Sequence, residues 1–402
     1  MIVWILNHYA GPPSVCPATR PYDLAVRLQQ RGHTVRLFAS TFNHYSFQHD
    51  QEASQSVDCS EAPFVWIPTC SYRRNGLRRF LGMFQYFVRS FHLGLSARER
   101  PDVVIGTCVH PLAVTAALLL SRQYRVPFVY EITDIWPRSL QELYGLRWYH
   151  PVVALFSLLE KLHLHCAQLV IGLLPQIDKY LEEEGHEAKP FVWIPNGVDP
   201  TRYTKLEPYD GGSSNKLHLM YVGGFAKAHN LDLLIDCQEH LPDHVRDSTT
   251  LHLVGDGPER KRIEERARKR AKIEVIFHGF VPKSDLPHYL SQADAFVCPS
   301  LAVGVYRYGA FFLKLYDYFM AGRPIIFGVH SSNNPVKEAN AGITVTAGDP
   351  IEFAQAITRM FSTHPAERAR WGVNGREFIL EHFDLNVLTS RLEKALKSAI
   401  YS

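Results

Sequence analysis

Short apolar runs alternate with amphipathic helical patterns along this chain, and the alternation occurs twice. In the first half, strands are predicted at 2–6, 34–39, 103–105, 128–131, 169–172 and 191–194, with helices at 22–30, 112–124 and 152–166. In the second half, strands are predicted at 217–222, 250–254, 274–278, 295–298 and 324–327. Strands that alternate with helices form parallel sheets covered on both faces. The pattern therefore predicts an α/β protein with two doubly wound, Rossmann-like domains facing a central cleft.

The length and the composition between the two halves support this division. A chain of 402 residues is too long for one ordinary core. The stretch 196–215 is rich in Pro, Gly, Asp and Ser, which is typical of a linker. We predict an N-terminal domain at 1–196, a linker at 197–215 and a C-terminal domain at 216–383. Dehydrogenases and epimerases share this architecture, so the function has to come from the sites.

Charge and cysteine usage exclude several classes of protein. The formal net charge of +3 gives no global basic field, which argues against a nucleic-acid partner. The seven cysteines are dispersed without a Cys-x-x-Cys pair, which favours reduced thiols and argues against a zinc site. Residues 1–6 lack a basic segment and are predicted to form a strand, and no apolar run is long enough to span a bilayer. We therefore expect a cytoplasmic protein without a metal.

The segment Lys314-Leu-Tyr-Asp-Tyr-Phe-Met-Ala-Gly322 is the most informative motif. It predicts a short helix that carries Lys314 and Asp317 one turn apart, followed by a buried strand. An ammonium neutralises phosphate, and a carboxylate accepts hydrogen bonds from both ribose hydroxyls. This pair therefore suits a nucleotide-sugar.

Two glycine-rich turns in the same half are candidates for diphosphate binding. Gly223 and Gly224 follow the strand predicted at 217–222, and Gly255-Asp256-Gly257 follows the next strand. Backbone N–H groups and the positive end of a helix dipole attract anions at such turns, and Lys227 adds a positive charge. The alternative is an ordinary tight turn between a strand and a helix.

Polar residues after strands of the first half are candidates for acceptor binding and catalysis. Gly11 and Arg20 belong to the loop after the first strand, where Arg20 suits an anionic acceptor or, alternatively, the helix start is only a structural cap. Glu131 ends the strand predicted at 128–131 and Asp134 follows it, and both are candidates for activating an acceptor hydroxyl, with a helix cap as the alternative for Asp134. His110 is a further candidate, with a structural role as the alternative.

A helical pattern near 77–95 has a broad apolar face that includes Phe84, with arginines at Arg74, Arg78 and Arg89 on the other side. An aromatic apolar face with arginines around it is able to lie in an anionic lipid interface. A core helix with a solvated back gives the same pattern, so both interpretations stay open.

Three segments, in order, resemble the retaining glycosyltransferases of family 4. They are Trp193-Ile-Pro-Asn-Gly-Val-Asp199, Leu253-Val-Gly-Asp-Gly-Pro-Glu259 and the Lys314 motif. The last is most similar to a subgroup with Lys-Leu-x-Asp/Glu-Tyr and Ala-Gly-x-Pro that makes bacterial O-antigen and capsule, including fucosamine-transferase-like enzymes. The segment from Glu131 to Pro137 is similar to that subgroup's Glu-x-Arg-Asp-x-Trp-Pro, with Thr133 in place of the Arg.

The resemblance implies the GT-B fold, in which the last helix, at 384–402, crosses back onto the acceptor-binding first domain. It implies a metal-independent, hexosyltransferase-type enzyme with a UDP-sugar as co-substrate, no cofactor, and retention of the anomeric configuration. In the donor domain it assigns Gly255, Asp256 and Gly257 to the nucleotide, Phe280 and Val281 to the base, and Leu315 to the signature that carries Lys314 and Asp317. It also favours the interpretation that the helix near 77–95 contacts the inner face of the cell membrane, because many such enzymes use lipid-linked acceptors.

The chain departs from the broader family at three positions. Gly224 and His229 stand where that family has an Arg and a Lys on the diphosphate, and Gly309 stands where it has a first acid on the sugar. These departures leave Lys227 and Lys314 to neutralise the diphosphate. They also keep two alternatives open, a nucleotide-sugar epimerase or hydrolase on the same fold and a non-catalytic binding module.

Overall fold

The computed structural model describes residues 1–13, 16, 18–42, 44, 64–72, 76–212 and 215–401. The chain divides into two compact units. Unit 1 consists of Met1–Asn196 together with Leu385–Ser402, and unit 2 consists of Gly197–Asp384, which includes the stretch predicted as a linker. Arg74 lies outside the described residues. Within the described residues, no helix is long and apolar enough to cross a membrane.

Unit 1 is a parallel sheet covered by helices on both faces. Its strands are β1 (Ile2–Leu6), β2 (Thr34–Ser40), β3 (Phe64–Ile67), β4 (Val103–Thr107), β5 (Phe128–Ile132), β6 (Leu169–Gly172) and β7 (Phe191–Trp193). Its helices are α1 (Arg20–Gln30), α2 (Leu77–Leu95), α3 (Pro111–Tyr124), α4 (Arg138–Tyr144), α5 (Pro151–Cys166), α6 (Ile177–Glu183) and α15 (Leu385–Tyr401). Among the described residues the strand order is β3-β2-β1-β4-β5-β6-β7.

The two faces of this sheet are covered by different helices. Apolar side chains of α1 and α15 share one core with β1, β2, β4, β5 and β6. On the opposite face, α3 packs between α2 and α5. Gly106 of β4 permits that packing, because a Cβ there would lie 2.9 Å from Cβ of Ala117 on α3. Burial on both faces explains why the strands are continuously apolar rather than alternating.

Unit 2 repeats the architecture. Its strands are β8 (Leu217–Val222), β9 (Thr249–Val254), β10 (Glu274–Gly279), β11 (Ala295–Cys298), β12 (Ile325–Gly328) and β13 (Gly342–Val345). Its helices are α7 (Leu233–Asp236), α8 (Asp243–Arg246), α9 (Arg260–Arg270), α10 (Leu286–Leu290), α11 (Leu313–Ala321), α12 (Pro335–Glu338), α13 (Pro350–Ser362) and α14 (Pro365–Phe383). The described strands are ordered β10-β9-β8-β11-β12-β13, all parallel.

The predicted α/β class with two doubly wound domains is confirmed. The sequence did not predict β3 and β13, the outer strands of the two sheets. Both are only four residues long and half-buried, which gives too short a run for the periodicity to mark. The strand order reverses between β1 and β4 in unit 1 and between β8 and β11 in unit 2. In open α/β sheets, ligands bind beyond the carboxyl ends of the strands at such switch points.

Candidate active site

Three glycine loops meet at the carboxyl edge of the unit 2 sheet. Gly223 after β8 donates its N–H to the carbonyl of Val254 at 3.0 Å, and Gly255 after β9 donates to the carbonyl of Gly279 at 2.8 Å. A Cβ on Gly255 would collide with the carbonyl of Gly223, and one on Gly257 would collide with the backbone of Phe225. The backbones approach so closely that only glycine fits at Gly255 and Gly257. The predicted turns are therefore present, and at them the backbones of neighbouring loops lie in close contact beside the switch point.

Lys314 of α11 lies directly against this edge. Its ammonium is buried and donates to the hydroxyl of Tyr221 at 3.0 Å. A Cβ on Gly223 would lie 3.0 Å from Cε of Lys314, which places the side chain beside the first glycine loop. Desolvation lowers the pKa of Lys314 to about 8. Within the described part of the chain, no carboxylate forms an ion pair with this ammonium. Because an unpaired buried charge is destabilising, the site favours binding of an anion.

Asp317, one turn further along α11, is half-buried and its Oδ1 accepts a hydrogen bond from the hydroxyl of Tyr203 at 2.5 Å. Desolvation raises the pKa of this carboxyl, while the charge of Lys283 and the Tyr203 bond oppose the rise. The side chain is thus neither in open solvent nor sealed in the interior. Tyr203 ends a short 3₁₀ helix at Pro200–Tyr203, and the sequence analysis did not find it.

His229 lies beside the first glycine loop and contacts it, which the sequence did not predict. Its Nδ1 donates to the carbonyl of Gly224 at 2.6 Å, because a carbonyl can only accept. Desolvation, assisted by the charge of Lys314, lowers the pKa of His229 to about 4. The ring is therefore neutral near pH 7, and its Nε2 is an acceptor that suits a ligand hydroxyl rather than a phosphate.

The other residues predicted to bind the donor differ in the solvent exposure of their side chains. Lys227 and Phe280 are exposed and free to reach a ligand, and Val281 is half-buried. Asp256 is exposed but pairs with Arg260 of α9 at 3.2 Å. Leu315 is a correction, because its side chain is completely buried in the core of unit 2 and is not available to a donor.

At the switch point of unit 1, two histidines meet. His8 follows β1, His110 follows β4, and Nδ1 of His8 lies 2.6 Å from Nε2 of His110. Nδ1 of His110 accepts from the N–H of Ala113 at the start of α3, so the proton of the neutral ring is on Nε2 and is donated to His8. His8 then carries its proton on Nε2. Burial lowers the pKa of His110 to about 3 and that of His8 well below its usual value, so both rings are neutral.

His110 is therefore not an acceptor contact as the sequence predicted, because both of its ring nitrogens are engaged within the protein, Nδ1 with the N–H of Ala113 and Nε2 with His8. It holds His8, which the sequence analysis missed. Nε2 of His8 is buried and has no hydrogen-bond partner in the described part of the chain, and the ring stacks on Tyr86 with centroids 4.4 Å apart. A buried imidazole N–H of this kind normally has a partner, which a ligand hydroxyl would supply.

Arg20 and Glu131, predicted to bind the acceptor and to catalyse, form a buried ion pair instead. Nη1 of Arg20 contacts Oε1 of Glu131 at 2.5 Å, and the other nitrogens of the guanidinium donate to the carbonyls of Ile194 and Pro195. The second carboxylate oxygen of Glu131 accepts from Thr107 at 2.6 Å. With both groups occupied and enclosed, the geometry supports a structural role. Gly11 is also buried, so it is not a surface for an acceptor.

Asp134 differs from Glu131 although only two residues separate them. Its side chain is exposed, beyond the end of β5, so a ligand is able to reach the carboxylate. An accessible ionised carboxylate is suited to accept a proton at pH 7. Of the two carboxylates that the sequence selected, the structure favours Asp134.

On α2, Arg78 and Phe84 are exposed as predicted. Arg89 is exposed as well, and its Nη1 donates to the carbonyl of Pro68 at 2.5 Å, just after β3. A backbone carbonyl does not neutralise a guanidinium, so the membrane contact of Arg89 stays a prediction.

Comparison with known proteins divides the chain in the same way. Residues 17–197 match the family described as Glycosyl transferase 4-like domain, and residues 216–363 match Glycosyl transferases group 1. Among curated proteins, the 2-deoxystreptamine glucosyltransferase of Streptomyces kanamyceticus is 24% identical over 207 residues, 48% of this chain and 50% of that protein. The lipopolysaccharide glucosyltransferase WaaG of Escherichia coli is 24% identical over 232 residues, 55% and 58% of the two chains. The matched region thus spans about half the length of these relatives.

Solved structures match over nearly the whole chain. The sucrose-phosphate synthase of Thermosynechococcus elongatus has a TM-score of 0.75 at 18% identity, covering 99% of this chain and 98% of that one. The Anabaena protein HepE in complex with UDP-glucose has a TM-score of 0.71 at 17% identity, covering 99% and 100%. At these identities the likeness shows the fold.

Proposed function

We propose that this chain is a glycosyltransferase, because it matches a glycosyl transferase 4-like domain and a glycosyl transferases group 1 domain and has the GT-B fold. It transfers a hexose-type sugar from a nucleotide-sugar to a glycan or lipid-linked acceptor of bacterial surface polysaccharide synthesis. UDP is the proposed nucleotide, supported by the UDP-glucose complex of the HepE protein. Likeness to WaaG supports the link to lipopolysaccharide-type products.

One observation carries this proposal, namely the buried Lys314 ammonium beside Gly223 at the switch point of unit 2. A cation that is desolvated and lacks a carboxylate partner is destabilising until an anion binds. The diphosphate of a nucleotide-sugar supplies that charge, and Lys314 then stabilises the diphosphate as it leaves. Asp317 is proposed to accept the ribose hydroxyls, with Lys227, Gly224 and the exposed Phe280 completing the donor site.

In unit 1, we assign Asp134 as the group that assists loss of the acceptor proton, and His8 as a hydrogen-bond donor to a bound hydroxyl. We further propose retention of the anomeric configuration by displacement on one face of the sugar. Charge stabilisation by Lys314 and backbone N–H groups makes the proposed reaction independent of added metal. Nuclear magnetic resonance of the product tests retention, and turnover in EDTA tests the metal independence.

Titration calorimetry with UDP tests the donor site directly. The wild-type protein is expected to bind UDP, and Lys314→Ala and Asp317→Ala are expected to weaken binding by about tenfold or more. Lys337→Ala removes an exposed lysine of the same unit and is expected to leave the affinity unchanged. Absence of UDP and GDP binding by the wild type would instead support a non-catalytic module.

Turnover measurements separate the enzymatic alternatives. Purified protein is incubated with a panel of UDP- and GDP-sugars, with and without membrane extract as the source of acceptor. A transferase consumes donor only when acceptor is present, whereas an epimerase or hydrolase consumes it in both conditions. Donor consumption without extract would therefore overturn the proposal.

A further inference from the structure

The outer surface of unit 1 formed by α2, α3 and α5 is unusually apolar. On α2, the side chains of Leu77, Phe80, Leu81 and Phe84 are exposed by 90%, 40%, 48% and 49%, and they recur at the spacing of one helix face. The sequence predicted this stripe. A core helix would have buried it, so the structure excludes the alternative that these side chains face the core of unit 1.

A second stripe on α5 was not predicted. Leu155, Leu158 and Leu162 are exposed by 42%, 66% and 44%, again on one helix face. Trp148 and Tyr149, just before α5, are exposed by 76% and 56%. A soluble monomer rarely exposes large apolar side chains in such a cluster unless they bind something.

The two stripes belong to one layer. Helix α3 packs between α2 and α5, and its outward Leu119 is exposed by 40%. Because the sheet is parallel and each of the three helices leads directly into a strand, the helices start at the carboxyl edge of the sheet. Leu77 and Phe80, like Trp148 and Tyr149, therefore lie at the same end of the layer as His8 and His110. We call the exposed apolar side chains of α2, α3, α5 and residues 148–149 the apolar layer.

The charges of this layer have one sign. Across Leu77–Leu95, Pro111–Tyr124 and Pro151–Cys166, the single acidic residue is Glu160. It is buried, it accepts a 2.5 Å hydrogen bond from Tyr180, and desolvation raises its pKa to about 8. The exposed charges are basic, as in Arg78 of α2 and Lys161 of α5 beside the two stripes and Arg122 at the end of α3.

From these observations we propose that the apolar layer is a docking surface for an anionic lipid bilayer. Aromatic side chains such as Trp148 and Tyr149 are favoured at the boundary between headgroups and acyl chains. Leucines and phenylalanines on a helix lying in that boundary enter the acyl region, and the basic side chains stay at the anionic headgroups. The absence of an exposed acid from the three helices is what favours an anionic surface over a second protein.

This inference is independent of the donor site, because it concerns the outer face of unit 1 and requires no nucleotide. It extends the single-helix hypothesis of the sequence analysis to three helices. It also adds Lys161 of α5 to the exposed arginines Arg78 and Arg89 of α2. If the acceptor is lipid-linked, the docked surface brings it to the edge that carries His8.

Cosedimentation with vesicles tests the proposal. Full-length protein is mixed with vesicles of phosphatidylcholine alone or containing about one third phosphatidylglycerol, at low and physiological salt. Wild-type protein is expected to sediment with the anionic vesicles, more strongly at low salt. Phe84→Gln with Leu158→Gln, and separately Arg78→Glu with Lys161→Glu, are each expected to lower the partition coefficient by about tenfold or more.

Matched controls lie in other parts of the molecule. Val373→Gln changes a side chain of α14 that is exposed by 53%, and Lys394→Glu reverses an exposed charge on α15. Both are expected to sediment like the wild type. UDP affinity is expected to be unchanged in every variant, which verifies that each is folded and separates this test from that of the donor site.

Two outcomes would overturn the proposal. One is a wild-type protein that stays in the supernatant with anionic vesicles at low salt. The other is a concentration-dependent dimer, seen by light scattering, that Phe84→Gln with Leu158→Gln abolishes while vesicle binding is absent. That result would assign the apolar layer to a second copy of the chain.

Discussion

The two units present opposite chemistry at equivalent places in the same topology. At the switch point of unit 2, glycine loops surround the buried ammonium of Lys314, which has no carboxylate partner among the described residues. At the switch point of unit 1, His8 and His110 occupy the corresponding position and are both neutral. We propose that the first position binds an anion and the second an uncharged hydroxyl. The comparison teaches that the scaffold fixes where ligands bind, and that the loops after two central strands decide which ligand.

The comparison also distinguishes buried cations that stabilise the fold from a buried cation that is a candidate for ligand binding. Arg20 is buried like Lys314, but Glu131 and two backbone carbonyls satisfy it. The ammonium of Lys314, in contrast, contacts the hydroxyl of Tyr221 and lies over the ring faces of Tyr221 and Phe312. Burial alone therefore does not identify a functional cation, whereas a buried ammonium with one hydrogen bond and no carboxylate partner among the described residues is a candidate.

The largest expected effect is on stability and concerns the buried ion pair of Arg20 and Glu131 in unit 1. Arg20→Met leaves Glu131 as an uncompensated buried charge and is expected to lower the free energy of unfolding by about 3–5 kcal/mol, measured by urea denaturation. Arg36→Met breaks an exposed pair with Glu99 and is expected to cost about 0.2–1 kcal/mol. If Glu131→Gln abolishes turnover without loss of stability, Glu131 is catalytic after all.

Next in size is the contribution of Asp134, the exposed carboxylate of unit 1. Asp134→Asn removes the proposed proton acceptor and is expected to lower kcat by about a hundredfold, assayed with donor and membrane extract. UDP affinity is expected to stay the same, because the donor belongs to unit 2. Asp178→Asn on α6 is the matched control. Equal losses in both variants, or a loss of UDP binding, would remove Asp134 from the mechanism.

Local spacing explains which parts of the site could be predicted from the sequence. Lys314 and Asp317 share one helix turn, so their proximity is a property of a few consecutive residues. The contacts His8–His110, Arg20–Glu131 and Tyr203–Asp317 join positions 102, 111 and 114 residues apart. Strand order decides those pairings, and the sequence pattern shows that strands exist without giving their order. That is why Arg20 and Glu131 were each predicted as functional although they satisfy one another.

Leu315 was assigned to the donor site from its motif, and that assignment failed. A motif names positions but does not give their side-chain directions, and Leu315 points into the core. Alternating strands and helices, by contrast, depend on periodicity alone, and the sequence predicted them well.

The third prediction uses pH to distinguish the two switch points. The pKa of Lys314 is about 8, below its usual 10.5, so UDP affinity is expected to fall about tenfold from pH 7 to pH 9 as the ammonium deprotonates. His8, His110 and Asp134 keep one charge state over this range. Calorimetry at both pH values measures the effect, and Lys314→Arg, which stays charged, is the control. An affinity independent of pH in the wild type would contradict the role of Lys314.

The same pKa shift has a consequence for stability in the absence of ligand. Between pH 8 and 10.5 the unfolded chain holds the Lys314 proton and the folded chain has lost it. More protons bound to the unfolded state means that the free energy of unfolding rises with pH in this window. Lys314→Met is expected to flatten that rise in urea denaturation experiments.

The smallest expected effect concerns Tyr203, whose hydroxyl fixes one oxygen of Asp317 and so orients the carboxylate. Tyr203→Phe is expected to raise KM for the donor and the Kd for UDP several-fold, about 1 kcal/mol, while kcat changes little. Tyr209→Phe removes a hydroxyl that donates to the backbone carbonyl of Asp294 in the same unit, and it should lower Tm without changing Kd. If both variants lower Tm and neither changes Kd, Tyr203 only stabilises the fold. In that case, the contrast between a prepared anion site in unit 2 and a prepared hydroxyl site in unit 1 would rest on Lys314 and His8 alone.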